Sequence, residues 1–515
     1  MNHEQAQSKA GKRRHQDLQE GQKKAQIELR KEQQAAGLTP QSRSTSSNRL
    51  SPYRSTDEER EVRVQATTDH ARILQTYWPS LLRKLKRISD PRNPKKIQHK
   101  LTLLMLYGIL AFVFHYGSRR QTNGEMSHPM FKENLLRLFP ELEAIPHADT
   151  LFRLLSRIDV DQIEQAQIDL VNQLIRKKKF RPYRINNSYP IAIDGTQKMA
   201  FSTLWCEQLQ QRKIRSGATA EEEEPQRQYY VYVLEANLSF SNGMVIPLMS
   251  EFLDYQQGDT DQGKQDCETK AFHRLAERIK QAFPKLPVML LLDGLYPTGP
   301  VMARCHQYHW QFMIVLKRDS LSTVWDEYEG LLDLESDNEK QQNWGDRQQH
   351  FRWVNNIRYE YGTNGRSHLT LHVVVCDEQW QTVDEEGNRF PGTSRHAWIS
   401  SRPLNQNNVH ERCNLAARHR WGIESCILVE KHQGYAYEHT FAKDWNAMRG
   451  YHYLMRIGHL INTLARYASA LAPLFKEKGV QGFIRFVRST YSGPWFENIA
   501  DIELRLSKPL RLSFI

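Results

Sequence analysis

Cysteine is scarce and badly placed for cross-linking: Cys206, Cys267, Cys305, Cys376, Cys413 and Cys426 are scattered over 515 positions, with no C-x-x-C pair. That spacing argues against a disulfide framework or a zinc ribbon and fits a reducing cytoplasm. Cys305, His306 and His309 stand close together, but no second ligand pair supports them at a metal-site spacing. Long apolar runs are missing too. The most apolar stretch, "LTLLMLYGILAFVF" from Leu101 to Phe114, falls short of the roughly 20 residues that span a bilayer, and it reads as a buried core helix. The first fifty residues are polar and show no secretory signal. The expectation is a soluble chain with no membrane partner.

Acidic residues are outnumbered, 59 Asp and Glu against 71 Lys and Arg, for a net charge of +12. That excess favours an acidic partner, most commonly nucleic acid. Apolar residues, at 39%, suffice for a large core. The length allows two to four domains at about 150 residues each.

Residues 1–60 hold few large apolar side chains and end in "TPQSRSTSSNRLSP". They read as a mobile polar and basic tail, either solvated or touching DNA. From 61 to 180 the spacing is helical, with "HARILQTYWPSLLRKLKRI" carrying a basic face and Pro91 and Pro94 breaking the helix after it. Asp149 is a candidate cap for the short helix in "PHADTLFRLLSRID", and "VDQIEQAQIDLVNQLIRKKK" closes an all-α, DNA-binding segment.

The period then changes. "YPIAIDGTQKMAF" reads as a strand leading to Asp194; "YYVYVLEANLS" and "MVIPLMSEFLDY" form a hairpin across Asn242-Gly243; "LPVMLLLDGLY" is a fully apolar strand ending at Asp293. A long polar loop tipped by Glu221–Glu224 separates the first two strands. With the helix "CETKAFHRLAERIKQAF" and the strand "WQFMIVLK", the order over 181–334 gives an α/β fold, a mixed sheet flanked by helices. Residues 335–400 alternate as a β-rich insertion, a helix opens near Asn408 and runs to His432 within the returning segment 401–470, and 471–515 is uninformative.

Three acids stand out: Asp194 and Asp293 at strand ends, each followed by glycine, and Glu424 on the late helix. Carboxylates at neighbouring strand ends repel unless divalent cations sit among them, and Mg²⁺ is held by such groups. At ~100° per residue, Arg420, Glu424 and Lys431 fall within about 40° of one another, a face suited to a DNA phosphate channel. The plainer alternatives are a turn or cap role for each Asp and a surface ion pair between Arg420 and Glu424. Asp254, Asp259, Asp261, Asp266 and Glu268 form an acidic loop, either exposed or a source of a metal ligand.

With these motifs in view, the chain resembles the DDE transposases of bacterial insertion sequences, in the branch whose third acid lies in a Tyr-x2-Arg-x3-Glu-x6-Lys helix. "RWGIESCILVEK" matches at Arg420, Glu424 and Lys431; "AIDGT" and "LLLDGLY" resemble the first and second acid motifs; "RISDPRNPKKIQHKLTLLMLYGILA" and "PHADTLFRLLSRID" resemble the N-terminal region. The resemblance covers 65–465. The family's Tyr falls at Ala417, which removes one DNA contact from what carries over. The resemblance implies a ribonuclease H-like catalytic domain in two parts around the β-rich insertion, and two Mg²⁺ (or Mn²⁺) ions held by Asp194, Asp293 and Glu424. It further implies double-stranded DNA bound by Arg420 and Lys431, and a homodimer on two DNA ends, working in the bacterial cytoplasm with the nucleoid. A nuclease of the same fold without strand transfer, or an inactive DNA-binding derivative, are the alternatives.

Overall fold

The computed structural model describes residues 3–38, 51–213, 227–254, 267–496, 499–508 and 512–514. Glu221–Glu224, Asp259, Asp261, Asp266 and positions 39–50 lie outside the described residues. Glu, Gln, Lys, Arg and Ala dominate the N-terminus, and these strong helix formers build α1 (His3–Ala35) where low apolar content had suggested a mobile tail. Helix propensity needs no large side chain, and Glu32 pairs with Arg389 at 2.7 Å.

The chain continues as α2 (Thr56–Leu85), capped by Ser55, then α3 (Leu101–Val113), α4 (Arg119–Met126), α5 (Pro129–Leu138), α6 (Ala148–Leu155) and α7 (Asp161–Arg176). The α6 cap is His147, whose Nδ1 accepts from the Asp149 N–H, so Asp149 lies in the first turn and not at the cap. Next come β1 (Tyr189–Phe201), β2 (Gln210–Lys213), β3 (Arg227–Ser239), β4 (Val245–Phe252), α8 (Glu268–Ala282) and β5 (Val288–Leu292). The short β2 lies in what read as a polar loop. Then follow α9 (Gly299–Gln307), β6 (Gln311–Val315), α10 (Ser322–Leu332), β7 (Glu339–Trp344), β8 (Arg347–Tyr361), β9 (Ser367–Val383) and β10 (Arg389–Ser400). The chain ends with α11 (Trp421–His432), α12 (Trp445–Tyr467), α13 (Ala472–Tyr491) and α14 (Ile499–Ser507).

These elements form a mixed α/β protein of two compact units, Met1–Thr45 with Leu292–Ala417, and Ser46–Leu291 with Arg418–Ile515. In the second, β1 runs antiparallel to β3 and parallel to β5 over Tyr189–Ala192, while β3 carries β2 and β4 on its other edge. The α3 helix is buried almost all round, so it needs partners on every side. It finds one in α12, itself buried along nearly its whole length and packed also on α6, α7 and β4. The segment 61–180 therefore shares a core with strands and late helices.

In the other unit the strands run β6-β10-β9-β8-β7, each pair antiparallel. Trp398–Ser400 of β10 pair with Val315–Met313 of β6, so the long β hairpins extend that strand's sheet.

Candidate active site

Asp194 is not at a strand end. β1 continues to Phe201, and Asp194 sits mid-strand opposite Glu235 of β3. What ends nearby is the parallel neighbour, since β5 pairs with β1 only as far as Ala192. Asp194 is therefore held by a full antiparallel partner on one side and lies just past the β1–β5 ladder on the other. Its Oδ1 accepts from the Gly195 N–H at 3.0 Å.

The late helix is less regular than its periodicity suggests. Glu411–Ala416 form a wide π turn and Ala417–Arg420 a tight 3₁₀ turn; regular helix begins at Trp421. Within the unit that holds β1, α11 lies close to β3 because residue 422 is glycine: a Cβ there would stand 2.2 Å from the Ser239 hydroxyl, which donates to the His419 carbonyl. The approach brings the charged face of α11 onto β1. Arg420 Nη2 meets Glu424 Oε1 at 2.8 Å and Nη1 lies 3.7 Å from Asp194 Oδ2. Lys431 donates to the Gln197 carbonyl at 3.2 Å and pairs with Glu438 at 2.9 Å. Arg420 is nearly buried, while Asp194 and Glu424 keep partial exposure. Of the flanking apolar residues, Ile427 is buried but Trp421 and Leu428 are exposed.

Asp194, Glu424, Arg420 and Lys431 are thus brought together in one unit. Asp293 belongs to the other unit: it directly follows β5, is half-buried, and its Oδ1 accepts from the Leu295 N–H at 2.9 Å. Gly294 packs against Lys317 there, where a Cβ would stand 2.5 Å from the lysine side chain.

Sequence reasoning left Glu268 in the acidic loop and passed over Tyr232. The Tyr232 hydroxyl donates to Glu268 Oε1 at 2.5 Å, and this pair lies flat on Gly195, where a Cβ would come within 2.6 Å of the Tyr232 ring and 2.7 Å of the Glu268 carboxylate. Burial, then the bond to Glu268, then the charges of Glu268 and Asp194 push the Tyr232 phenol far up.

Behind Asp194 lies a buried ion network that the sequence reading also missed. Arg456 reaches Glu430 at 3.0 Å and Glu235 at 3.3 Å; the Tyr437 hydroxyl donates to Glu235 at 3.0 Å; His452 lies 3.3 Å from Glu235. Burial alone would raise both carboxyls, but Arg456 chiefly holds them below the usual range. Burial brings His452 down to about 4. Lys198, the extra residue of a bulge in β1, donates to the Tyr437 carbonyl at 2.8 Å, and burial lowers its ammonium to about 8 against the pull of Glu235 and Glu430. The available signal was a charge inside an apolar pattern: Glu235 within "YVYVLEANL" and Arg456 within a buried helix both demand partners.

Residues 82–171, from the end of α2 into α7, match the family model described as DDE_Tnp_1-associated. The match points to a DDE-type transposase family and to a transposase-related function. No curated protein matches the chain. Among the described residues no helix is long and apolar enough to cross a membrane.

Proposed function

We propose that this chain is a DDE transposase of a bacterial insertion sequence with a ribonuclease H-like catalytic domain, cleaving transposon-end phosphodiesters and joining the 3′-OH to target DNA. The observation that carries the reading is one guanidinium, Arg420, drawing together Asp194 and Glu424 from a strand and a helix far apart in sequence. The match over 82–171 supports it independently.

Asp194 and Glu424 offer partly exposed carboxylate oxygens gathered around a positive charge, a donor set that suits Mg²⁺ or Mn²⁺; the resemblance to the transposases adds Asp293 as third acid. When bound, two such ions supply an activated water and offset charge on the attacking and leaving oxygens of an in-line displacement. Arg420 holds the carboxylates in register through its two Nη nitrogens. In the DNA complex a phosphate takes over those two nitrogens from the carboxylates; Lys431 grips phosphate as a point charge, exchanging Glu438 for it. Water oxygen bonds to phosphorus at the transposon end, the P–O3′ bond breaks, and the 3′ oxygen leaves as a hydroxyl. That hydroxyl then attacks a target phosphodiester and displaces its 3′ oxygen. The partner is double-stranded DNA, with a homodimer bringing two ends together in the cytoplasm.

The test is cleavage of DNA carrying the element's own ends with Mg²⁺ or Mn²⁺, comparing wild type with Glu424→Gln. Nicking at the ends that is lost in a variant still binding DNA is the expected result. Equal cleavage by both removes Glu424 from the site.

A further inference from the structure

Two residues beyond Glu424, α11 turns a different set of ligands toward α12. Cys426 and Glu430, one helical turn apart, meet His459 so that one ligand atom from each lies within 4.8 Å of the others, all three residues being buried. We propose that Cys426, Glu430 and His459 form a second metal centre, a structural site for a thiophilic divalent cation such as Zn²⁺ that fastens the helix of Glu424 to α12.

The alternative is a closed ion-pair network, and two observations favour a ligand. Glu430 spends only one oxygen on the network: Oε1 accepts from Arg456 at 3.0 Å and from His459 Nδ1 at 2.6 Å, while Oε2 is buried with no partner among the described residues. A cation on Oε2 leaves the Arg456 bond intact. The second observation is spacing. Cys426 Sγ and His459 Nδ1 stand 3.8 Å apart. Ligands at tetrahedral Zn–S and Zn–N distances of about 2.3 and 2.0 Å stand about 3.5 Å apart, so this pair needs little movement.

The fourth position has room as well. A cavity of about 80 Å³ is lined by Cys426, His459, Tyr435 and Asn462, large enough for a water ligand. On binding, the Cys426 thiol gives its proton to solvent, and the His459 proton moves from Nδ1 to Nε2 so that Nδ1 can coordinate. The cation is balanced by thiolate and Glu430, and Arg456 keeps Glu235. The sulfur ligand separates this centre from an all-oxygen Mg²⁺ site, since soft thiolate selects Zn²⁺ and its neighbours.

The experiment uses the full chain stripped with a chelator and titrated with Co²⁺ in excess Mg²⁺. One equivalent of Co²⁺ should produce a near-ultraviolet thiolate-to-cobalt band and visible tetrahedral bands, displaced by one equivalent of Zn²⁺. The band should vanish in Cys426→Ser and persist in Cys267→Ser, an exposed cysteine. No band at stoichiometric metal, or a band surviving Cys426→Ser, overturns the assignment. Should Cys426→Ser fail to fold, X-ray absorption of the wild-type zinc form decides: one sulfur with nitrogen and oxygen neighbours is expected, and any other sulfur count overturns it. None of these readouts depends on DNA cleavage.

Discussion

The guanidinium of Arg420 lies 3.7 Å from the carboxylate of Asp194, joining the residue that precedes α11 to the middle of β1. With Glu424 on its other nitrogen, Arg420 is the group that makes one site of a strand acid and a helix acid. Asp194→Asn and Glu424→Gln should each lower end cleavage at least about a hundredfold, the scale seen when support of a metal site is lost. DNA binding should be retained in both variants. Arg420→Lys should also lose activity, because an ammonium cannot reproduce a two-nitrogen grip. Single-turnover cleavage beside filter binding checks all three.

Gly195→Ala should disturb the Tyr232–Glu268 pair, since a methyl there meets both side chains well inside contact distance. Overpacking of this kind costs about 1–3 kcal/mol. Adding Glu268→Ala should recover part of the loss, which a double-mutant cycle of urea midpoints would show.

Lys431 is tied to Glu438 in the DNA-free chain. Glu438→Gln should release it and tighten binding to transposon-end DNA. Lys431→Met should make the slope of log affinity against log salt shallower by about 0.9, the value for one phosphate contact. An unchanged slope would remove Lys431 from the DNA contacts.

Lys198 gives a pH signature. Its ammonium ionises near 8 in the fold against an ordinary 10.5, because burial disfavours the charge. Between those values the unfolded chain binds a proton that the folded chain does not, so stability rises as pH climbs from about 8 to about 10.5. Urea midpoints should show this rise in wild type and a flatter curve in Lys198→Met.

Arg456→Met should be the most damaging of these changes, since it leaves Glu235 and Glu430 buried without their shared cation. Removing one partner of such a buried group costs about 3–5 kcal/mol. Equilibrium unfolding measures it directly.

Much of the framework was legible. The apolar run of α3, the β3–β4 hairpin at Asn242-Gly243, and β5 followed by Asp293 all stand where local pattern puts them. The Arg420–Glu424 pair was legible because four residues make one helical turn. The missed pieces are those in which local pattern misleads: α1, where propensity works without hydrophobicity; β2, too short for a period; and Asp194, which a following glycine made look terminal although β3 carries the strand on to Phe201.

By itself, then, the sequence determined the elements with a clear apolar period and the residues that share one face of α11, because hydrophobic period and helical spacing act over a few residues. Only the tertiary structure decided that Arg420 meets Asp194, that Glu268 and Tyr232 cover Gly195, and that Cys426, Glu430 and His459 converge. Those pairings arise from α8, α11 and α12 packing on or beside one sheet. A buried charge announces that it needs a partner, but packing selects which distant residue supplies it.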